Sequence, residues 1–253
     1  MLESYLKKIL EKKKILLMTH IVLGYPSFED SYKIIAEMVK AGVDLMELQI
    51  PFSEPIADGP VILHANQKAL EGGSTVQKCF DFADKVTSDF NIPFLFMSYY
   101  NILFKYKVDR FVNEMAEIGI KGAIVPDLPP EEGKEYINAM TEKNLTPIFI
   151  FSPATTSERM KYIASHGKGF IYCVARKGVT GANTTFTNQL DDYLSLCRKA
   201  TDLPLALGFG VKNKADIDFL KGKADIAVLG SQTIRLIKEQ GVNAVGGFIK
   251  SLR

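Results

Sequence analysis

Glu47 and Asp58 are the residues of this chain whose type and spacing best suit chemistry. Both lie in the stretch Met46–Pro60, Met-Glu-Leu-Gln-Ile-Pro-Phe-Ser-Glu-Pro-Ile-Ala-Asp-Gly-Pro. Two carboxylates held in different environments around one pocket form a common acid/base arrangement. The residues around them say how they are held. Strand side chains alternate, so Met46, Leu48 and Ile50 share one face while Leu45, Glu47 and Gln49 share the other. Asp58 follows in a loop stiffened by Pro51, Pro55 and Pro60, with Gly59 free to turn. A strand that is apolar on one face and carries a carboxylate and an amide on the other suits a closed parallel barrel. There the outer face meets helices, and the inner face near the C-terminal end of the strand meets substrate.

The rest of the chain supplies the frame for such a strand. β-rich apolar runs recur at Ile15–Gly24, Asp44–Pro51, Pro93–Tyr100, Gly122–Leu128, Thr146–Ser152, Gly169–Arg176, Pro204–Val211 and Ala224–Gly230. Helical patterns separate them, which implies βαβ units and a parallel sheet. Eight such runs in 253 residues favour a (β/α)8 barrel of the TIM type, read as one domain over residues 1–253. Helices are expected at Asp30–Ala41, Val108–Ile118, Glu131–Met140, Ser157–Ala164, Asn188–Ala200 and Asn213–Leu220, with two short ones broken near Gly241. Ser74 with Gln77 reads as a capping box before Phe80. An extra amphipathic helix is expected within Met1–Lys14, and another at Pro60–Leu70 with Pro60 at its first position.

Two connections stand out. The loop after the second strand is long and holds Asp58. The loop after the sixth, Lys177-Gly-Val-Thr-Gly-Ala-Asn-Thr-Thr-Phe, is long enough for a lid. The seventh and eighth strands end in glycine, at Leu207-Gly-Phe-Gly-Val211 and Leu229-Gly-Ser231. Loops at these places, with a helix N-terminus, commonly hold phosphate in barrels, because glycine backbone lets N–H groups approach the anion.

Composition narrows the partners. Hydrophobic content of 47% suits a large core, and a net charge of +2 without a basic block does not call for nucleic acid or an anionic membrane. Cys79, Cys173 and Cys197 are scattered and odd in number, as expected of reduced thiols in a cytoplasmic protein. The mixed charges of the N-terminal segment do not make a signal peptide, and no stretch reads as a membrane span. No metal-ligand spacing appears, so no metal is expected.

The string Met46–Pro60 resembles the signature of the tryptophan synthase alpha chain family, Glu-Leu-Gly-(Ile/Val)-Pro-Phe-Ser-Asp-Pro-x-Ala-Asp-Gly-Pro. The strings Ser98–Asn101, Val125–Pro129, Phe170–Arg176 and Arg176–Gly181 are also similar to family strings. The resemblance implies cleavage of indole-3-glycerol phosphate to indole and glyceraldehyde 3-phosphate, with Glu47 and Asp58 catalytic. It implies substrate contacts from the pocket tyrosine Tyr172 and the lid threonine Thr180, and a phosphate held at Gly181, Phe209, Gly210, Gly230 and Ser231. It further implies no cofactor on this chain, and a beta-chain partner carrying pyridoxal phosphate in an alpha2-beta2 assembly. The docking loops would include Ser53–Asp58 and the segment around Pro129. A stand-alone lyase releasing free indole and a catalytically weak activator of the beta chain are the alternatives, with another phosphate-binding barrel behind them.

Four positions depart from the family pattern. Gln49 stands for Gly and Glu54 for Asp, while His20 replaces an aromatic and Val22 a threonine. Parity places His20 and Val22 towards the barrel mouth. His20 is read as a polar wall residue or a proton carrier, a single histidine on a strand being more often structural.

Overall fold

The computed structural model describes residues 2–175, 188–208 and 210–253, with the side chains of residues 188 and 189 left aside. The strands are β1 (Leu16–Val22), β2 (Leu45–Gln49), β3 (Phe94–Met97), β4 (Gly122–Ile124), β5 (Thr146–Ile148), β6 (Ile150–Phe151), β7 (Ile171–Val174), β8 (Leu205–Gly208) and β9 (Ile226–Leu229). All the ladders between them are parallel, in the order β5-β4-β3-β2-β1-β9-β8-β7-β6. This is the expected barrel with one difference: the fifth apolar run is interrupted at Phe149, so it counts as two short strands. The interruption does not open the wall. Phe149 still accepts the Tyr172 N–H at 2.9 Å, and the two pieces pair with β4 on one side and β7 on the other.

Alternation within each strand sorts the core into two layers. Ile21, Met46, Leu48, Phe94, Phe96, Ala123 and Ile171 pack outward against the helices. Leu16, Met18, Leu45, Leu95, Met97, Ile124, Ile148, Ala206 and Val228 fill the barrel. The helix Leu2–Leu10 closes the bottom by burying Leu2 and Leu6 in that inner cluster. Asp44, buried where β2 begins, accepts the Leu17 N–H at 2.8 Å and pairs with Lys13 and with Arg253. One carboxylate thus ties both ends of the chain to the floor of the barrel. A buried charge left alone there would cost several kcal/mol, so two cations are a reasonable match.

Helix boundaries follow capping chemistry. Phe28–Lys40 is capped by Ser27, and Lys214–Leu220 opens on an Asn213/Asp216 capping box. The helix Val76–Asp89 starts one residue later than expected. Thr75, not Ser74, is its cap and accepts from the Lys78 N–H. Ser74 is instead buried against Gly24. The short helix Tyr100–Tyr106 was not foreseen. Asp127, within the Val125–Pro129 string, accepts the Tyr100 N–H and so joins the loops after β3 and β4.

Candidate active site

A pocket of about 80 Å³ opens at the C-terminal ends of the strands. Its polar wall comes from β1 and β2. The parallel register sets His20 directly beside Glu47, with inward side chains on neighbouring strands. His20 Nδ1 lies 3.1 Å from Glu47 Oε1, and both side chains are buried. Asp58 enters from the loop after β2. Its Oδ2 accepts from Gln49 Nε2 at 2.6 Å and from the Tyr99 hydroxyl at 3.0 Å. The Tyr99 hydroxyl also accepts the Ala57 N–H at 3.1 Å, which pins the loop to the end of β3. The loop is therefore positioned by hydrogen bonds to two strands rather than by its prolines alone.

The electrostatics follow from this crowding. Burial pushes the Asp58 carboxyl above the usual carboxylate range, opposed by the His20 charge and by the Gln49 and Tyr99 donors. Burial by itself disfavours the His20 imidazolium. The charge and hydrogen bond of Glu47 oppose that, helped by Asp58 and Gln49, and the balance leaves His20 above its ordinary value. Burial also raises the Tyr172 phenol, and the two nearby carboxylates raise it further, so it stays a neutral donor. Among the described residues Glu47 Oε2 has no hydrogen-bond partner, which leaves one carboxylate oxygen for the pocket.

The remaining walls are apolar and glycine-rich. Met97, Ile124, Ile150, Val174, Val228 and Ile62 make an apolar slot. Tyr172 reaches in from β7, where Gly208 makes room for it: a Cβ on Gly208 would lie 2.7 Å from the Tyr172 hydroxyl. Gly210, Gly230 and Ser231 line a glycine-rich corner, and the helix Ser231–Gln240 begins there. Gly210 has φ +101°, a backbone that side chains rarely adopt.

Most of the site residues expected from the sequence thus meet in one pocket: Glu47, Asp58, Tyr172, Gly210, Gly230 and Ser231. Thr180, Gly181 and Phe209 lie outside the described residues. His20 is more than a wall residue, because it pairs with Glu47. Tyr99 and Gly208 were missed as site residues. Their signals were a tyrosine just past the end of a barrel strand and a second glycine in Leu207–Val211. Val22 points the same way as His20 but packs with Ile62 and Ala65 of the helix Pro60–Glu71.

Comparison with known proteins agrees with this geometry. A family model described as "Tryptophan synthase alpha chain" matches residues 6–249. The tryptophan synthase alpha chain of Desulforapulum autotrophicum is 66% identical over 252 residues, covering 100% of both chains. That of Syntrophotalea carbinolica is 63% identical over 253 residues, again covering 100% of both. Among solved structures, tryptophan synthase from Mycobacterium tuberculosis superposes with a TM-score of 0.92 at 28% identity, covering 99% of this chain and 96% of that one. Sequence along its whole length and backbone therefore agree, and the chain belongs to the tryptophan synthase alpha chain family, the carbon–carbon lyases that cleave indole-3-glycerol phosphate.

Proposed function

We propose that Glu47 and Asp58 carry out the retro-aldol cleavage of indole-3-glycerol phosphate in this pocket. The observation that carries the reading is that both carboxylates line one largely apolar slot that also holds the glycine-rich corner formed by Gly210, Gly230 and Ser231. Indole occupies the slot and the phosphate the corner. Backbone N–H groups hold the anion there, aided by the N-terminus of the following helix.

Glu47 donates a proton to the ring carbon that bears the side chain, and positive charge develops towards the indole nitrogen. Asp58, as a carboxylate, accepts the indole N–H and stabilises that charge. Glu47, now ionised, takes the proton of the side-chain hydroxyl. The carbon–carbon bond breaks, its electron pair returns to the ring, and indole and the aldehyde leave with Glu47 protonated again. Tyr172 borders the reacting end as a neutral hydroxyl. Substrate contacts from Thr180 and Gly181, which lie outside the described residues, are what the family resemblance adds to this reading.

Partner and location belong to the same reading. Ile56 is 71% exposed in the Asp58 loop, and Phe104 is 63% exposed on the helix Tyr100–Tyr106. With Glu54 and Pro129, both exposed, they offer an apolar surface with a charged member around the pocket mouth. A beta chain carrying pyridoxal phosphate docks there and consumes the indole, in an alpha2-beta2 assembly. Among the described residues no helix is long and apolar enough to cross a membrane, and the proposed location is the cytoplasm.

The test is an assay of indole release from indole-3-glycerol phosphate by the isolated chain and by the chain with its beta partner. Release that rises with the partner supports the subunit reading. High release alone, unchanged by the partner, would favour a stand-alone lyase.

A further inference from the structure

His20 and Gln49 are two of the family departures, and the structure puts them between the two carboxylates. Nδ1 of His20 faces Glu47 Oε1 at 3.1 Å, and the amide nitrogen of Gln49 faces Asp58 Oδ2 at 2.6 Å. Two ends are left over: among the described residues, neither His20 Nε2 nor Gln49 Oε1 has a hydrogen-bond partner, and both atoms are buried. The Asp58 carboxylate fixes the amide orientation, because an amide oxygen turned towards it would be repelled. Gln49 Oε1 is then an unpartnered acceptor on the same inward wall as the imidazole, diagonal to it across the β1–β2 ladder. An imidazole with a carboxylate at one nitrogen and an amide oxygen available to the other is satisfied best with both nitrogens protonated.

We propose that His20 and Gln49 form a positioning bridge between the reacting carboxylates: an imidazolium spans from Glu47 to the Gln49 amide, and the amide carries the link on to Asp58. The inference rests on the assignment of Glu47 and Asp58 as the reacting pair. The imidazolium stabilises the negative charge that Glu47 acquires when its proton goes to the ring carbon. It holds Oε1, so that Oε2 is the oxygen presented to substrate. The amide keeps Asp58 turned towards the slot. The phosphate corner is close to the bridge, since a Cβ added to Gly230 would lie 3.7 Å from His20 Cβ. The titratable groups facing the ring are Glu47 on β2 and Asp58 in the loop after it. Tyr172 on β7 sees both carboxylates, and Tyr99 reaches Asp58 from the end of β3. Neither His20 nor Gln49 need touch substrate, so both are positioning residues.

Two measurements test this on the full chain with its beta partner. In nitrogen-15 NMR of histidine-labelled protein, His20 should show both ring nitrogens protonated at pH 7. A neutral ring with one bare nitrogen would overturn the bridge, whatever the activity. In the pH profile of kcat for indole release, the wild type should lose activity on the alkaline side as the imidazolium deprotonates. His20→Phe should lower kcat at least tenfold with KM changed less than threefold, and should abolish that limb. Wild-type kcat and an unchanged profile in His20→Phe would also overturn it. His20→Gln, which retains a hydrogen-bond donor, should recover part of kcat without restoring the limb. Glu47→Gln distinguishes the two readings: activity retained in that variant overturns the acid/base assignment and the bridge with it, whereas an inactive Glu47→Gln beside a wild type whose His20 carries one bare nitrogen overturns the bridge alone.

Discussion

Gln49 Nε2 donates to Asp58 Oδ2 at 2.6 Å, so the side chain that replaces the family's glycine holds one of the two pocket carboxylates. Gln49 is completely buried, and among the described residues its amide oxygen has no hydrogen-bond partner. It is a structural member of the wall. Removing it leaves a space and takes away one of the two side-chain donors of the Asp58 carboxylate. Gln49→Gly alone should therefore reduce activity and cost on the order of 1–3 kcal/mol of stability. Combining it with His20→Phe and Val22→Thr should recover much of the activity, by restoring a family-like edge. A mutant cycle measured by thermal unfolding and indole release checks the coupling. An increase in turnover from Gln49→Gly by itself would mark the residue as an obstruction and favour the activator reading.

Glu47→Gln should keep the fold and the His20 contact, since the amide oxygen can still accept. Lyase activity should fall by about 100-fold or more, the range expected for loss of a general acid/base. Steady-state indole release, with circular dichroism as the control for folding, gives the answer. Activity within tenfold of wild type rules out the assignment.

Asp58→Asn should trade activity for stability. The folded carboxyl binds its proton more tightly than the unfolded one, because burial raises it above 3.8. The folded state thus holds more protons between that value and the folded pKa, and its stability falls as pH rises through this window. Above that window the ionised group is a net cost. The amide should raise the melting temperature, by about 2–4 °C for each kcal/mol recovered in a chain of this size. Turnover should drop, because no charge remains opposite the indole N–H. Equal turnover for Asn and Asp would remove electrostatic stabilisation from the account.

The same linkage applies to His20 in a different window. Its folded pKa lies above 6.5, so its contribution to stability is fully present below 6.5 and is lost as pH rises through the folded value. Wild type minus His20→Phe, followed by denaturant unfolding from pH 6 to pH 9, should show a stability difference that shrinks as pH rises. A difference independent of pH would place the effect in packing rather than charge.

Gly208→Ala tests how tightly Tyr172 is seated. The new methyl would sit 2.7 Å from the hydroxyl and 2.8 Å from Cε1, so the ring must move. Stability should fall by about 1–3 kcal/mol, and KM should rise severalfold as the ring displaces substrate. Thermal unfolding and KM read the two effects separately. If neither changes, the tyrosine has room that the contact distances deny.

Much of this was legible in the chain itself. Alternation in Leu45–Gln49 placed Glu47 on the inner face, because period-two geometry is a local property of any strand. The proline-rich loop announced Asp58 in the same way. The glycines at Gly208, Gly210 and Gly230 marked the ends of two strands. The recurring apolar runs implied a barrel. What the tertiary structure decided were relations across the chain. That His20 stands beside Glu47 depends on the β1–β2 register, and a slip of one residue would turn the imidazole outward. That Gln49 and Tyr99 both grip Asp58 depends on how the loop folds back over β2 and β3. That Ser74 gives up its capping role to Thr75 depends on its burial against Gly24. Local pattern determines which face a side chain occupies, whereas its neighbour on that face is set by the packing of distant segments, and the polar wall of this pocket is made of such neighbours.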